Sequence, residues 1–365
     1  MRKRLWALLL AFGMVCALFG CGDRKPEEPE KPESIPVEEA ELPPMEKEPQ
    51  EPETPAGINV LTGLPIEPEY ENNRPVAVIL NNVKKAQPHL GISQADIVYE
   101  TEVEGGITRM LGVFQRIDNV PNLGSIRSVR PYFLELALGH DALLVHAGGS
   151  ETAYSDIRAW DVDNMDGVRG SSDAKIFWRD PDRKKNAGYE HSLLTSGENI
   201  SHYLDSGRYR TTHPEGYFYP QNFCETIPAA MEIGEAASHL TVCFSYYKTG
   251  TFDYDAESGK YLVKQYGMPY IDGNTGESVG FTNVLVLKTG ISNTGDSHGH
   301  LLINLDGEGD GLYFCGGKTI PIHWSKTGHS GSLQYTAEDG SPLTMQCGNS
   351  YVCILSPNRS TVSYE

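Results

Sequence analysis

The sequence predicts an α+β protein, with a mixed α/β domain over residues 58–219 followed by a strand-dominated, all-β domain over 220–365. Three observations predict it. Apolar runs of strand length alternate with helical runs through the first half, which is the pattern of a layered α/β or α+β domain. Beyond about residue 220, strand-like runs follow one another across glycine-bearing turns. The composition is globular, with 39% hydrophobic residues, 19 Tyr and 11 Phe to fill cores.

Residues 1–20 read as a cleavable secretory leader. Met1-Arg2-Lys3-Arg4 is basic, and residues 5–19 are an unbroken apolar stretch. That stretch is short for a hydrocarbon core of ~30 Å but suits a signal-peptide h-region. Leu18-Phe19-Gly20-Cys21 resembles a lipobox. Cys21 is therefore the expected lipidation site, and its acyl chains would hold the mature protein on the extracytoplasmic face of the cell membrane. Residues 21–57 comprise that cysteine and a stalk. From 24 to 55 the stalk is dominated by Glu and Pro, too poor in apolar surface to offset the entropy of ordering. It is expected to act as an extended spacer.

In the first domain, residues 74–82 (RPVAVILNN) read as a buried strand. Residues 93–96 start a turn or short helix. Residues 97–103 and 107–114 pair as strands across Glu104-Gly105-Gly106. Residues 132–138 have helical character, with Gly139 as a stop. Residues 142–146 are a short strand, the turn Gly148-Gly149-Ser150 follows, and residues 151–157 continue as a helix. In the second domain, residues 240–247, 260–265, 282–288, 300–305, 312–315, 319–324 and 351–355 read as strands. Asp339-Gly340 signals a hairpin between 333–336 and 343–346. The Asp/Gly-rich segment 306–311 lacks calcium-loop spacing and reads as a long turn.

Charge excludes one class of partner. Thirty Lys+Arg against 49 Asp+Glu give a net charge of -19, the wrong sign for a protein that neutralises nucleic-acid phosphates. Against that acidic background the arginines stand out. Arg109, Arg127 and Arg130 lie in or beside the elements leading to Gly148-Gly149-Ser150, and Arg179 and Arg183 follow. Guanidinium groups near strand ends can fork a carboxylate or phosphate. They can equally pair with Glu102, Glu104, Asp180 and Asp182. Ser150 reads either as a helix cap whose glycines open the backbone to a ligand, or as a cap on an ordinary turn. The candidate ligand site is accordingly Arg109, Arg127, Arg130, His146, Gly148, Gly149 and Ser150, taking an anionic envelope component or a protein partner. The alternative is an envelope hydrolase or transferase in which His146 or His191 acts as base.

Several ordered blocks carry a family resemblance. These are residues 74–82, Ala95-Asp96-Ile97-Val98-Tyr99-Glu100, Glu104-Gly105-Gly106-Ile107-Thr108-Arg109, residues 125–130 and Val145-His146-Ala147-Gly148-Gly149-Ser150. Together they resemble the YerB-like lipoproteins, whose two halves are domains of unknown function. The resemblance runs from about residue 61 to the C-terminus. It implies an extracytoplasmic lipoprotein and supplies no reaction. The chain departs from the family's Pro-His-Asn-Leu-Tyr-Thr-like stretch, having Tyr189-Glu190-His191-Ser192-Leu193-Leu194-Thr195 instead.

No catalytic motif stands beside it. There is no G-x-S-x-G elbow, and no C-x-x-C spacing among Cys224, Cys243, Cys315, Cys347 and Cys353. Asp296-Ser297-His298-Gly299-His300 resembles the Ser-His-Gly-Cys core of L,D-transpeptidases, but His300 stands where the thiolate would be. The two histidines of that segment could start a metal site. No third ligand is recognisable from sequence, so a polar loop is the expectation. No cofactor and no metal are expected.

Overall fold

In the computed structural model, residues 56–170 and 173–365 are described; the leader, Cys21 and the stalk up to residue 55 lie outside the described residues. The β-branched run of β1 (Val76–Asn82) sets the architecture. Val76, Val78 and Leu80 enter one hydrophobic core, and Ala77 and Ile79 enter a second on the opposite face. A strand that is apolar on both faces must be covered on both. Helix α1 (Pro131–Gly139) covers one side: Pro131 presets its first turn, and Phe133, Leu134, Leu136 and Ala137 join the second core. A second, smaller sheet covers the other side, its Leu240, Val242, Phe252 and Val263 joining the first core.

The strands β2 (Ile97–Glu102) and β3 (Thr108–Phe114) pair antiparallel with Ile97 opposite Val113. β4 (Leu143–His146) lies parallel to β1, and β5 (Asn164–Asp166) parallel to β4. The smaller sheet contains β6 (His239–Cys243), β7 (Thr249–Asp255) and β8 (Lys260–Gln265). The main sheet then continues through the second half with β9 (Asn283–Lys288), β10 (Gly307–Cys315), β11 (Lys318–Lys326), β12 (Gln334–Ala337) and β13 (Ser350–Leu355). Its central order is β11-β10-β9-β13-β2-β3-β1-β4-β5. β13 is parallel to β9 on one side and to β2 on the other, with Ser350 aligned to both Asn283 and Ile97. The α+β class holds: helices sit among the strands of the N-terminal part, and the C-terminal part is strand-rich.

Two details differ from expectation. The segment 306–311 is not a turn: from Gly307 it is the first part of β10, paired with β11 through Glu308–Ser325 and Gly309–Trp324. Glycine normally weakens a strand, but it is used where another group approaches closely. A Cβ on Gly309 would stand 2.7 Å from both Lys288 O and the Trp324 indole nitrogen. The turn at Asp339-Gly340 does form, with Ala337 N–H donating to Ser341 O at 2.9 Å. Beyond it, however, the flanking segments pair chiefly elsewhere, 334–337 with β11 and 344–346 with 222–224. The five cysteines of the described residues are free thiols.

Candidate functional site

The end of β4 builds the site. After His146 the chain turns through Ala147-Gly148-Gly149 into α2 (Glu151–Ala159), whose first turn is capped by Ser150 Oγ accepting from Ala153 N–H at 3.2 Å. Gly148 has φ +77°, a left-handed conformation costly for residues with a Cβ. A Cβ on Gly149 would meet Val129 Cγ1 at 2.9 Å. The segment 125–129 is laced between β1 and this turn. Arg127 N–H donates to Ile79 O and Ala147 N–H to Arg127 O, both at 2.9 Å, and Val129 N–H donates to Gly148 O at 2.9 Å.

Asp166, at the end of β5, braces the turn from behind. Its carboxylate accepts from Gly148 N–H at 2.9 Å, Val168 N–H at 2.8 Å and the Tyr154 hydroxyl at 2.7 Å. Burial pushes this carboxyl up, but the His146 ring and these three donors outweigh it and hold it below the ordinary carboxylate range.

In front of the turn lies an open cleft of about 300 Å³. Its walls include Arg127, Gly148, Gly149, Arg169, Arg179 and Tyr189. Arg127 reaches the exposed Glu190 carboxylate at 3.1 Å, while its Nε is buried without a partner among the described residues. Arg179 donates to Tyr189 O at 2.7 Å and lies 3.6 Å above the Tyr189 ring. Arg169 stacks 3.7 Å over Tyr154 and pairs with exposed Glu151 at 2.7 Å. Their carboxylate partners, Glu190 and Glu151, are water-exposed, and such pairs exchange readily for a better anion.

The structure thus divides the seven residues singled out from sequence. Arg127, Gly148 and Gly149 meet at the cleft. Ser150 is the helix cap. Arg130 is buried in a two-pronged pair with Glu104, its NH2 at 2.8 Å from Oε2, and also donates to Val129 O at 2.8 Å. Arg109 is buried and donates to Ser128 O at 2.6 Å; burial, reinforced by the charge of Arg130, lowers its pKa. His146 is fully buried, with Nδ1 at 2.9 Å from Gly148 O and Nε2 at 3.1 Å from Asn164 Oδ1. Both its nitrogens are taken up by the protein, so neither is offered to a substrate. His191 is likewise buried, its Nδ1 2.7 Å from Asn81 Nδ2, and burial lowers its pKa. Arg169 and Tyr189 escaped the sequence reading. Arg169 carried no motif, and Tyr189 was visible only as part of the departure from the family pattern.

Residues 61–210 match the N-terminal domain of a protein family of unknown function, DUF3048, and residues 240–352 match its C-terminal domain. The Bacillus subtilis protein YerB, whose name describes it as a candidate lipoprotein, is 30% identical over 304 residues, which is 81% of this chain and 85% of that protein. A crystal structure of the YerB protein from Bacillus subtilis matches with a TM-score of 0.72 at 28% identity, covering 84% of this chain and 99% of that one. The resemblance read from the ordered sequence blocks is therefore sound, and the chain belongs to the YerB-like DUF3048 family, carrying both of its domains of unknown function.

Proposed function

We propose that the protein is a membrane-anchored, extracytoplasmic binding module that holds an anionic envelope component in the Arg127–Arg169–Arg179 cleft. One observation carries this reading: three guanidinium groups and the Gly148-Gly149 backbone border one open cleft in a chain of net charge -19. A carboxylate or phosphate there would displace the exposed Glu190 and Glu151 from Arg127 and Arg169. Tyr189, already beneath Arg179, offers an aromatic face to a sugar or other ring. The enzymatic alternative lacks support, because neither His146 nor His191 belongs to the cleft wall.

Anchoring rests on the leader and Cys21 and on the lipoprotein name of the B. subtilis relative. No helix among the described residues is long and apolar enough to cross a membrane. Incorporation of a labelled fatty acid that disappears in Cys21→Ser tests the anchor. For the cleft, the full chain is incubated with purified cell-wall polymer rich in phosphate and carboxylate. Retention that falls at least about tenfold in Arg127→Gln/Arg179→Gln supports the module, since each charge-assisted bond contributes ~1.5–3 kcal/mol. Unchanged retention, or fragments of polymer released with time, overturns it.

A further inference from the structure

The loop at 296–300, for which the sequence offers two imidazoles, gains a third ligand in the fold. Ile291–Asn293 and Leu301–Ile303 pair antiparallel, with Asn293 opposite Leu301, and the connecting loop folds back on itself. Asp296 Oδ1 accepts from the backbone N–H groups of His298 at 2.9 Å and His300 at 3.1 Å, which pins its carboxylate inside the loop. Asp296 Oδ2 lies 2.5 Å from His300 Nδ1, and the two imidazoles stack with centroids 5.4 Å apart. One donor atom from each of Asp296, His298 and His300 lies within 4.8 Å of the others. The loop is also beside the β2–β3 turn, with His300 Nε2 3.8 Å from Glu104 Oε1.

We propose that Asp296, His298 and His300 form a binding site for a divalent transition-metal ion of the zinc class. Two imidazoles and one carboxylate are a borderline-soft donor set, suited to zinc and its neighbours rather than to calcium or magnesium, which take oxygen ligands. Three protein ligands leave a fourth tetrahedral position for water. The site is separate from the arginine cleft. A bound ion stiffens the 294–300 loop next to the Glu104–Arg130 pair, where the C-terminal half meets the β2–β3 turn.

The test uses the full chain in detergent, stripped with a chelator and titrated calorimetrically with zinc ion alone. One equivalent is expected to bind, with the dissociation constant weakened at least about tenfold in His298→Ala and more in His298→Ala/His300→Ala. His298 is exposed, so the single variant retains the fold. Cobalt(II) titration supplies a second readout, expected to give d–d bands without a thiolate charge-transfer band. Absence of zinc binding overturns the proposal. So does binding that His298→Ala leaves intact, or a thiolate band that places the ion on Cys224 or Cys347.

Discussion

Arg127 and Arg130 stand on the same segment and do opposite work. Arg130 turns inward to Glu104, both side chains largely buried at 10% and 17% exposure. Arg127 borders the cleft and meets a carboxylate, Glu190, that is 63% exposed. The same guanidinium chemistry therefore serves as a strut in one place and, in the function proposed above, as a clamp in the other. What separates the two is the depth of the partner: a buried counter-ion fixes the arginine, and a water-exposed one leaves it available.

Removing the strut should have the largest effect. Arg130→Met leaves Glu104 buried without its main partner and is expected to cost about 3 kcal/mol in urea unfolding. The pH dependence sharpens this. Burial pushes the Glu104 carboxyl up, but Arg130 and then Arg109 outweigh it, so its folded pKa is lowered. The stabilisation is thus complete above the unfolded carboxylate pKa of about 4.3 and is lost as pH falls through the folded value. The stability gap between wild type and Arg130→Met should shrink in acid; a gap of constant size from neutral pH downward would show that the pair does not carry the effect.

The clamp variants should behave in the contrary way. Arg127→Gln/Arg179→Gln is expected to reduce polymer affinity at least about tenfold while each substitution moves stability by no more than about 0.5 kcal/mol. Loss of the folded state in this double variant would erase the distinction between strut and clamp. Gly148→Ala lies between the two regions. Its left-handed φ should cost about 1–2 kcal/mol, with binding weakened because the turn fronts the cleft. The smallest effect on binding belongs to Ser150→Ala, expected to leave it within about twofold while the lost cap costs about 1 kcal/mol of stability.

Much of the fold was legible because the signal was local. The run 76–80 buries alternate residues on opposite faces, and 97–102 and 108–114 are joined by a short turn, so period and spacing sufficed. The partner of β2 on its other side was not legible. It is β13, some 250 residues later, and nothing in Tyr351-Val352-Cys353-Ile354 names its neighbour. The same limit governed the site. Sequence singled out the arginines and the Gly148-Gly149 turn, but which arginine is buried depends on where Glu104 ends up. Gly307-Glu308-Gly309-Asp310-Gly311 reads as a turn from sequence because glycine signals one, and only the fold shows Trp324 pressed against it.

The place of β13 also dictates the order in which the molecule can be completed. A chain delivered amino end first brings this strand out some 250 residues after β2, yet its seat lies in the middle of the sheet, between β9 and β2. Until it arrives, β2 keeps an unsatisfied row of amides and carbonyls open to any passing strand. Ending the chain inside this strand should therefore unravel the N-terminal half, whereas each half expressed by itself should aggregate.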